Sequence, residues 1–398
     1  MVLGIALLVG SSRELAHAPT PPTVDPVPPP PPPCGVWPYD NPCGGCVFGV
    51  QKTLSVGTSD TCASLAQSLD VPQFDLFNRN RSASCCQQSN ISVGDRIDVC
   101  LAPSREQWRK AGYPRRPPER DVVLSFLGAQ PKGYSPPSQL PSSVNVVALY
   151  PVDDRGSTSG DFKVANTFSG VCSTGLNPSF EGRTTGSDSD VSRLWLFSLN
   201  TDAGNWDSHI SPEKWGLNAA KSLENVILRY RLDGIDVNIE ASRSRFGLMI
   251  CSMFRHLRAR MGMDLTLTLT PWRATMQYYT EVARTCLVNI SWANYQTYSD
   301  GGFNPSSGKP PSSLSNAANV FGWHKVTWGI STQIGQSRPP VGSGLLLQQT
   351  LQNTHPEVRG VFVWTAEYSA RCHPKWCFEN LMMATMKGRS VANGACKC

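Results

Sequence analysis

From residue 122 onward, short apolar or alternating runs are separated by longer stretches whose apolar positions recur at helical spacing. Val122–Leu127, Val144–Tyr150, Arg193–Leu199, Leu265–Leu269, Ile290–Tyr298, Val326–Ser331 and Val358–Trp364 have the length and the β-branched or aromatic content of strands. Ser211-Pro212-Glu213 reads as a helix start, with an N-cap, proline at the first helical position and an acid in the first turn. The stripe Trp215, Ala219, Leu223, Val226, Ile227 and Tyr230 gives that helix one buried face. Phe246, Ile250, Met253, Leu257 and Met261 mark another, and Cys251 within it is expected as core packing. Further helical runs cover 276–286, 345–352 and 378–386, while the Ser/Gly-rich stretch 153–190 takes the place of a clear helix.

Between the two long stripes lies Leu232-Asp233-Gly234-Ile235-Asp236-Val237-Asn238-Ile239-Glu240. Its alternation is that of a strand with Asp236, Asn238 and Glu240 on one face and Ile235, Val237 and Ile239 on the other. Buried charge without partners costs several kcal/mol or more, so the polar face is expected to line a wet or functional cavity and the apolar face to lie under helices. With this run as the fourth, eight strands alternate with helices. That predicts an α/β fold, a (β/α)8 TIM barrel, whose usual size is ~250 residues and whose catalytic groups sit at the carboxyl ends of the strands. Glu240 falls at the end of the fourth.

The motif resembles the Asp-Gly-x-Asp-x-Asp-x-Glu signature of glycoside hydrolase family 18, the chitinases and narbonin-like relatives. Asp233, Gly234, Asp236 and Glu240 match, and Asn238 stands where the third Asp is usual. Asn294-Tyr295-Gln296-Thr297-Tyr298 resembles the family's polar–aromatic segment, and Val361-Phe362-Val363-Trp364 the strand whose Trp floors the sugar site. Ser198-Leu199-Asn200-Thr201 departs from the family's Ser-x-Gly-Gly. The resemblance spans residues 119–388 and is sharpest at 232–240.

The chain begins with a short apolar run, Val2 to Val9, followed by Ala16-His17-Ala18, the pattern of a cleaved secretory signal over 1–18. Fourteen cysteines fit an oxidising compartment, so secretion is expected. Residues 19–33 form a proline-rich spacer. Residues 34–103 hold seven cysteines and a strand–helix–helix–strand order. Val56, Asp60, Thr61, Cys62, Leu65, Ala66, Phe77, Asn78 and Gly94 resemble a LysM domain, which implies a binder of N-acetylglucosamine polymers with Asn78 among its substrate-binding residues. Cys62, Cys85, Cys86 and Cys100 are open to several pairings. The Pro/Arg-rich run 104–118 reads as a linker to the barrel domain 119–398.

The family resemblance implies substrate-assisted, retaining hydrolysis of β-1,4-linked N-acetylglucosamine. It implies Glu240 as general acid and then base, with Asp236, Asn238 and Tyr298 as catalytic partners and Asp233, Gln296 and Trp364 as substrate-binding groups. The amide at Asn238 retains a hydrogen-bond acceptor but removes a charge, so a slowed enzyme and a sugar-binding lectin or storage-type protein on the same barrel are both open. The net charge of +6 has no long basic run, which argues against a nucleic-acid partner. No apolar run is long enough to span a membrane. None of the six histidines lies near the motif, and Cys372, Cys377, Cys396 and Cys398 are expected in disulfides rather than, with His373, as metal ligands. No cofactor or metal is implied. The chitin-like polysaccharide is the expected partner of a monomer.

Overall fold

A computed structural model describes residues 50–58, 60–61, 64–65, 68–69, 93–94, 96–128, 139–153, 160, 162–164, 193–199, 209–240, 245–300, 312–332, 357–389 and 396. Eight parallel strands close on themselves: β3 (Val122–Leu127), β4 (Val146–Asp153), β6 (Leu194–Leu199), β7 (Gly234–Val237), β8 (Thr266–Leu269), β9 (Trp292–Tyr295), β10 (Val326–Ser331) and β11 (Gly360–Trp364). The circle closes where β11 pairs with β3 and β3 with β4; a two-residue β5 (Lys163–Val164) adds antiparallel to β4. The predicted barrel is the observed fold.

Pleat alternation divides the apolar side chains into two cores. Val122, Leu124, Phe126, Val146, Ala148, Leu194, Leu196, Trp292 and Phe362 fill the barrel interior. Val123, Leu127, Ile235, Val237 and Ile239 pack outward against the helices, including Leu223, Ile227, Ile250 and Met253. Those last four lie on α2 (Pro212–Arg229) and α3 (Phe246–Met261). Ser211 caps α2 by accepting from the Lys214 N–H. Gly234 is obligatory: a Cβ there would lie 1.7 Å from the Thr266 carbonyl oxygen on the next strand.

Three sequence expectations are corrected. Cys251 is not simply a packed thiol; it forms a disulfide with Cys286, tying α3 to α4 (Met276–Cys286). Tyr298 does not lie on the sixth barrel strand, because β9 ends at Tyr295 and Thr297–Asp300 turn as a 3-10 helix. The run 104–118 is not a free linker. It contains α1 (Arg105–Lys110), capped reciprocally by Ser104 and Gln107, and it packs on the barrel's amino-terminal end. There Trp108 is fully buried and donates from Nε1 to the Leu232 carbonyl, while Arg105 pairs with Glu224.

In the cysteine-rich region, β1 (Val50–Ser55) and β2 (Arg96–Leu101) pair antiparallel, Val50 opposite Leu101. A helical turn begins at Ser64, where Thr61 and Ser64 exchange side-chain to backbone hydrogen bonds of 3.0 and 2.8 Å. The signal and proline-rich segments 1–33, Asn78, Cys62, Cys85, Cys86, Asn200, Thr201 and the helix expected at 345–352 lie outside the described residues. Near the carboxyl terminus, Cys377 at the start of the helix Cys377–Met386 is bonded to Cys396, and Cys372 is also disulfide-bonded.

Candidate active site

The polar face of the β7 run builds two layers at the carboxyl end of the barrel. The lower layer surrounds Asp236, which is wholly buried. Thr268 donates to it at 2.6 Å, Ser198 at 2.8 Å, Thr270 at 2.8 and 3.0 Å, and Asn294 at 3.1 Å. Burial pushes its carboxyl above the ordinary aspartate range, and the hydroxyl and amide donors pull the other way. Sequence reasoning assigned none of these four donors to Asp236. The threonines of Leu265-Thr266-Leu267-Thr268-Leu269 carried a usable signal, since their alternation turns them to the same face as Asp236 on the neighbouring strand.

The upper layer joins Asn238, Glu240, Gln296 and Tyr298. Gln296 Nε2 donates toward Asn238 Oδ1 at 3.1 Å, the Thr270 carbonyl at 3.2 Å and Glu240 Oε1 at 3.3 Å. Tyr298 completes the chain by donating from its hydroxyl to Gln296 Oε1 at 3.0 Å. Asn238 and Gln296 are buried, whereas Glu240 is exposed, so the carboxylate meets solvent and the amides form its wall. Tyr279 on α4 positions this segment: its hydroxyl accepts from the Ile239 N–H at 2.9 Å and faces the Val237 and Ile239 carbonyls. It looks like an ordinary core aromatic in the sequence, and nothing there flags the role.

Trp364, at the end of β11, is half-buried with its ring 5.2 Å from Phe126. Tyr298 packs edge-on to Phe362 at 6.0 Å, and Phe362 in turn lies 5.5 Å from Phe126. The two aromatic site residues thus rest on one apolar plug inside the barrel.

Asp233 is not brought to this mouth. It lies at the amino-terminal end of β7, wholly buried, and both its oxygens are occupied. Arg115 donates from its backbone N–H at 2.8 Å, from Nε at 3.1 Å and from Nη2 at 2.5 Å, and the Trp195 N–H donates at 2.8 Å. The substrate-binding role expected for Asp233 is therefore replaced by a structural one. The amino-terminal face has other cations on backbone oxygens: buried Arg193 reaches the Leu140, Pro141 and Val144 carbonyls, and half-buried Lys325 those of Leu287 and Ile290. This end is built for stability.

Among the described residues, no group of three or more His, Cys, Asp or Glu is arranged to hold a metal ion, and no helix is long and apolar enough to cross a membrane. The arrangement offers one solvent-facing carboxylate, a hydrogen-bonded amide–phenol wall and a neighbouring indole.

The sequence matches no protein-family model and no curated protein. Among solved structures, the catalytic domain of a family GH18 chitinase from the fern Peteris ryukyuensis matches with a TM-score of 0.54 and 21% identity, over 67% of this chain and 99% of that one. A family GH18 chitinase from Chromobacterium violaceum matches with a TM-score of 0.50 and 13% identity, over 73% and 88%. At these identities the likeness is one of fold.

Proposed function

We propose that this protein is a secreted, monomeric, chitinase-like glycoside hydrolase acting on β-1,4-linked N-acetylglucosamine. The observation that carries the reading is the cluster of Glu240, Gln296, Asn238 and Tyr298 at the carboxyl end of a closed barrel. Glu240 is the proton donor. Its proton passes to the glycosidic oxygen as that bond to the anomeric carbon breaks, and the substrate's acetamido oxygen bonds to the same carbon. Glu240 then takes a proton from the water that opens the resulting ring. Gln296 and Tyr298 hold the acetamido group, Trp364 stacks on the pyranose, and Asp236 supports the motif strand from below. The disulfides Cys251–Cys286 and Cys377–Cys396 suit an oxidising compartment. The paired strands β1 and β2 suit a LysM-like module that retains the chain on polymer.

The test is fluorophore release from a chitotriose glycoside by wild type and Glu240→Gln. Turnover by wild type that vanishes in the variant, with binding kept, is the expected result; equal turnover in both would remove Glu240 from the chemistry. One observation favours a second reading, a sugar-binding lectin on the same barrel: Asn238 supplies no charge. Loss of a charge-stabilising group lowers rates by about two to three orders of magnitude. Wild type that binds oligomers and releases no fluorophore would select the lectin.

A further inference from the structure

The motif strand outruns its neighbour. β7 and β8 pair in parallel as far as Val237 and Leu269, and a last rung runs from the Thr270 N–H to the Val237 carbonyl at 2.8 Å. In a parallel ladder the next rung would join the Ile239 N–H to the Thr270 carbonyl. Instead, the Ile239 N–H donates to the Tyr279 hydroxyl at 2.9 Å, and the Thr270 carbonyl accepts from Gln296 Nε2 at 3.2 Å. The same hydroxyl lies 3.1 Å from the Ile239 carbonyl and 3.2 Å from that of Val237, and its single proton can go to either. One hydroxyl thus holds both backbone polar atoms of the residue that leads into Glu240. Its own placement is firm: Tyr279 is fully buried on α4, edge-on to Phe246 at 5.1 Å, and α4 is fastened to α3 by the Cys251–Cys286 disulfide.

We propose that Tyr279 is a positioning residue for proton transfer, acting on Glu240 through the backbone of Ile239. This rests on the reading of Glu240 as proton donor and adds to it the group that sets where the carboxyl stands. Glu240 lies beyond the last strand pair, so the position of its backbone depends on what holds Ile239. The Tyr279 hydroxyl takes the place of the next rung. By doing so it leaves the Thr270 carbonyl to Gln296, whose Nε2 also reaches Glu240 Oε1 at 3.3 Å. Ile239 is only 1% exposed, so without the hydroxyl its N–H is left buried and unmatched, or it turns to the Thr270 carbonyl in competition with Gln296. Either way the carboxyl moves relative to the glycosidic oxygen it protonates.

Two leaving groups separate proton donation from folding. Protonation matters greatly when the departing oxygen is basic and little when it leaves as an acidic phenol. Values of kcat/KM, which report the bond-breaking step, are measured for the phenyl and 3,4-dinitrophenyl glycosides of chitobiose. The full chain is used as wild type and as Tyr279→Phe, below the thermal transition of both. Tyr279→Phe lowers kcat/KM about 10- to 100-fold for the phenyl glycoside and less than about 3-fold for the dinitrophenyl one. Glu240→Gln gives the reference for lost protonation, with the same bias. Leu223→Ala, a core truncation on α2 that leaves the hydroxyl in place, lowers stability without changing the ratio of the two rates. That ratio does not depend on the folded fraction, so partial unfolding of a variant does not obscure it. Equal falls for both glycosides would make Tyr279 a packing residue and overturn the proposal, as would no fall in either. Folded wild type that cleaves neither glycoside overturns the hydrolase reading itself, and the role of Tyr279 with it.

Discussion

Arg115→Met tests whether Asp233 holds the barrel together or holds a ligand. Asp233 has no exposed surface, while Arg115 keeps 19% of its side chain in solvent. Two of the four hydrogen bonds to Asp233 come from the Arg115 side chain and two from backbone N–H groups that the substitution leaves in place. Removing one partner of a buried ion pair costs about 3–5 kcal/mol. The surviving backbone donors place Arg115→Met near the lower end, about 3 kcal/mol. Asp233→Asn should cost as much or more, because every contact to the carboxylate is a donor and the new NH2 must face at least one of them. A loss of that size moves a urea midpoint by on the order of 1 M for a domain of ordinary m-value. The assay is urea unfolding at neutral pH, with oligosaccharide affinity measured in parallel below the transition. The reasoning predicts lost stability and unchanged affinity in the folded protein. A midpoint that does not move, together with lost sugar binding, would refute it and return Asp233 to the binding site.

Glu379 gives a pH signature. It is wholly buried, Ser369 donates to one oxygen at 2.5 Å, and burial raises its pKa from 4.5 to about 7. The folded state thus holds the proton more tightly than the unfolded state, so stability is complete below about pH 4.5 and falls as pH rises toward 7, by about 3 kcal/mol in total. Glu379→Gln should remove that slope, matching wild type in melting temperature near pH 4.5 and exceeding it at pH 8; parallel profiles would show that Glu379 ionises freely in the fold. For the Cys251–Cys286 disulfide, which closes a 35-residue separation, the double substitution to alanine should cost up to about 4 kcal/mol in a denaturant titration. No difference between the two proteins under non-reducing conditions would mean that the bridge adds nothing to the packing of α3 on α4.

Local pattern was enough for the barrel and for the face that carries the site. Period-2 alternation in Ile235 to Glu240 turns three polar side chains to one face whatever surrounds them, and Ser211-Pro212-Glu213 starts a helix through contacts within one turn. What these residues do once gathered depends on partners far along the chain. Asp233 reads like its neighbours in the motif, yet Arg115, 118 residues earlier, decides that it is structural. The same separation explains why 104–118 reads as a linker: prolines and arginines signal solvent until Trp108 finds a buried site beside Leu232. Asn238 is the clearest case. Its identity as an amide is written in the sequence, but an amide is both donor and acceptor, and only the Gln296 side chain packed beside it makes its oxygen the acceptor within the wall.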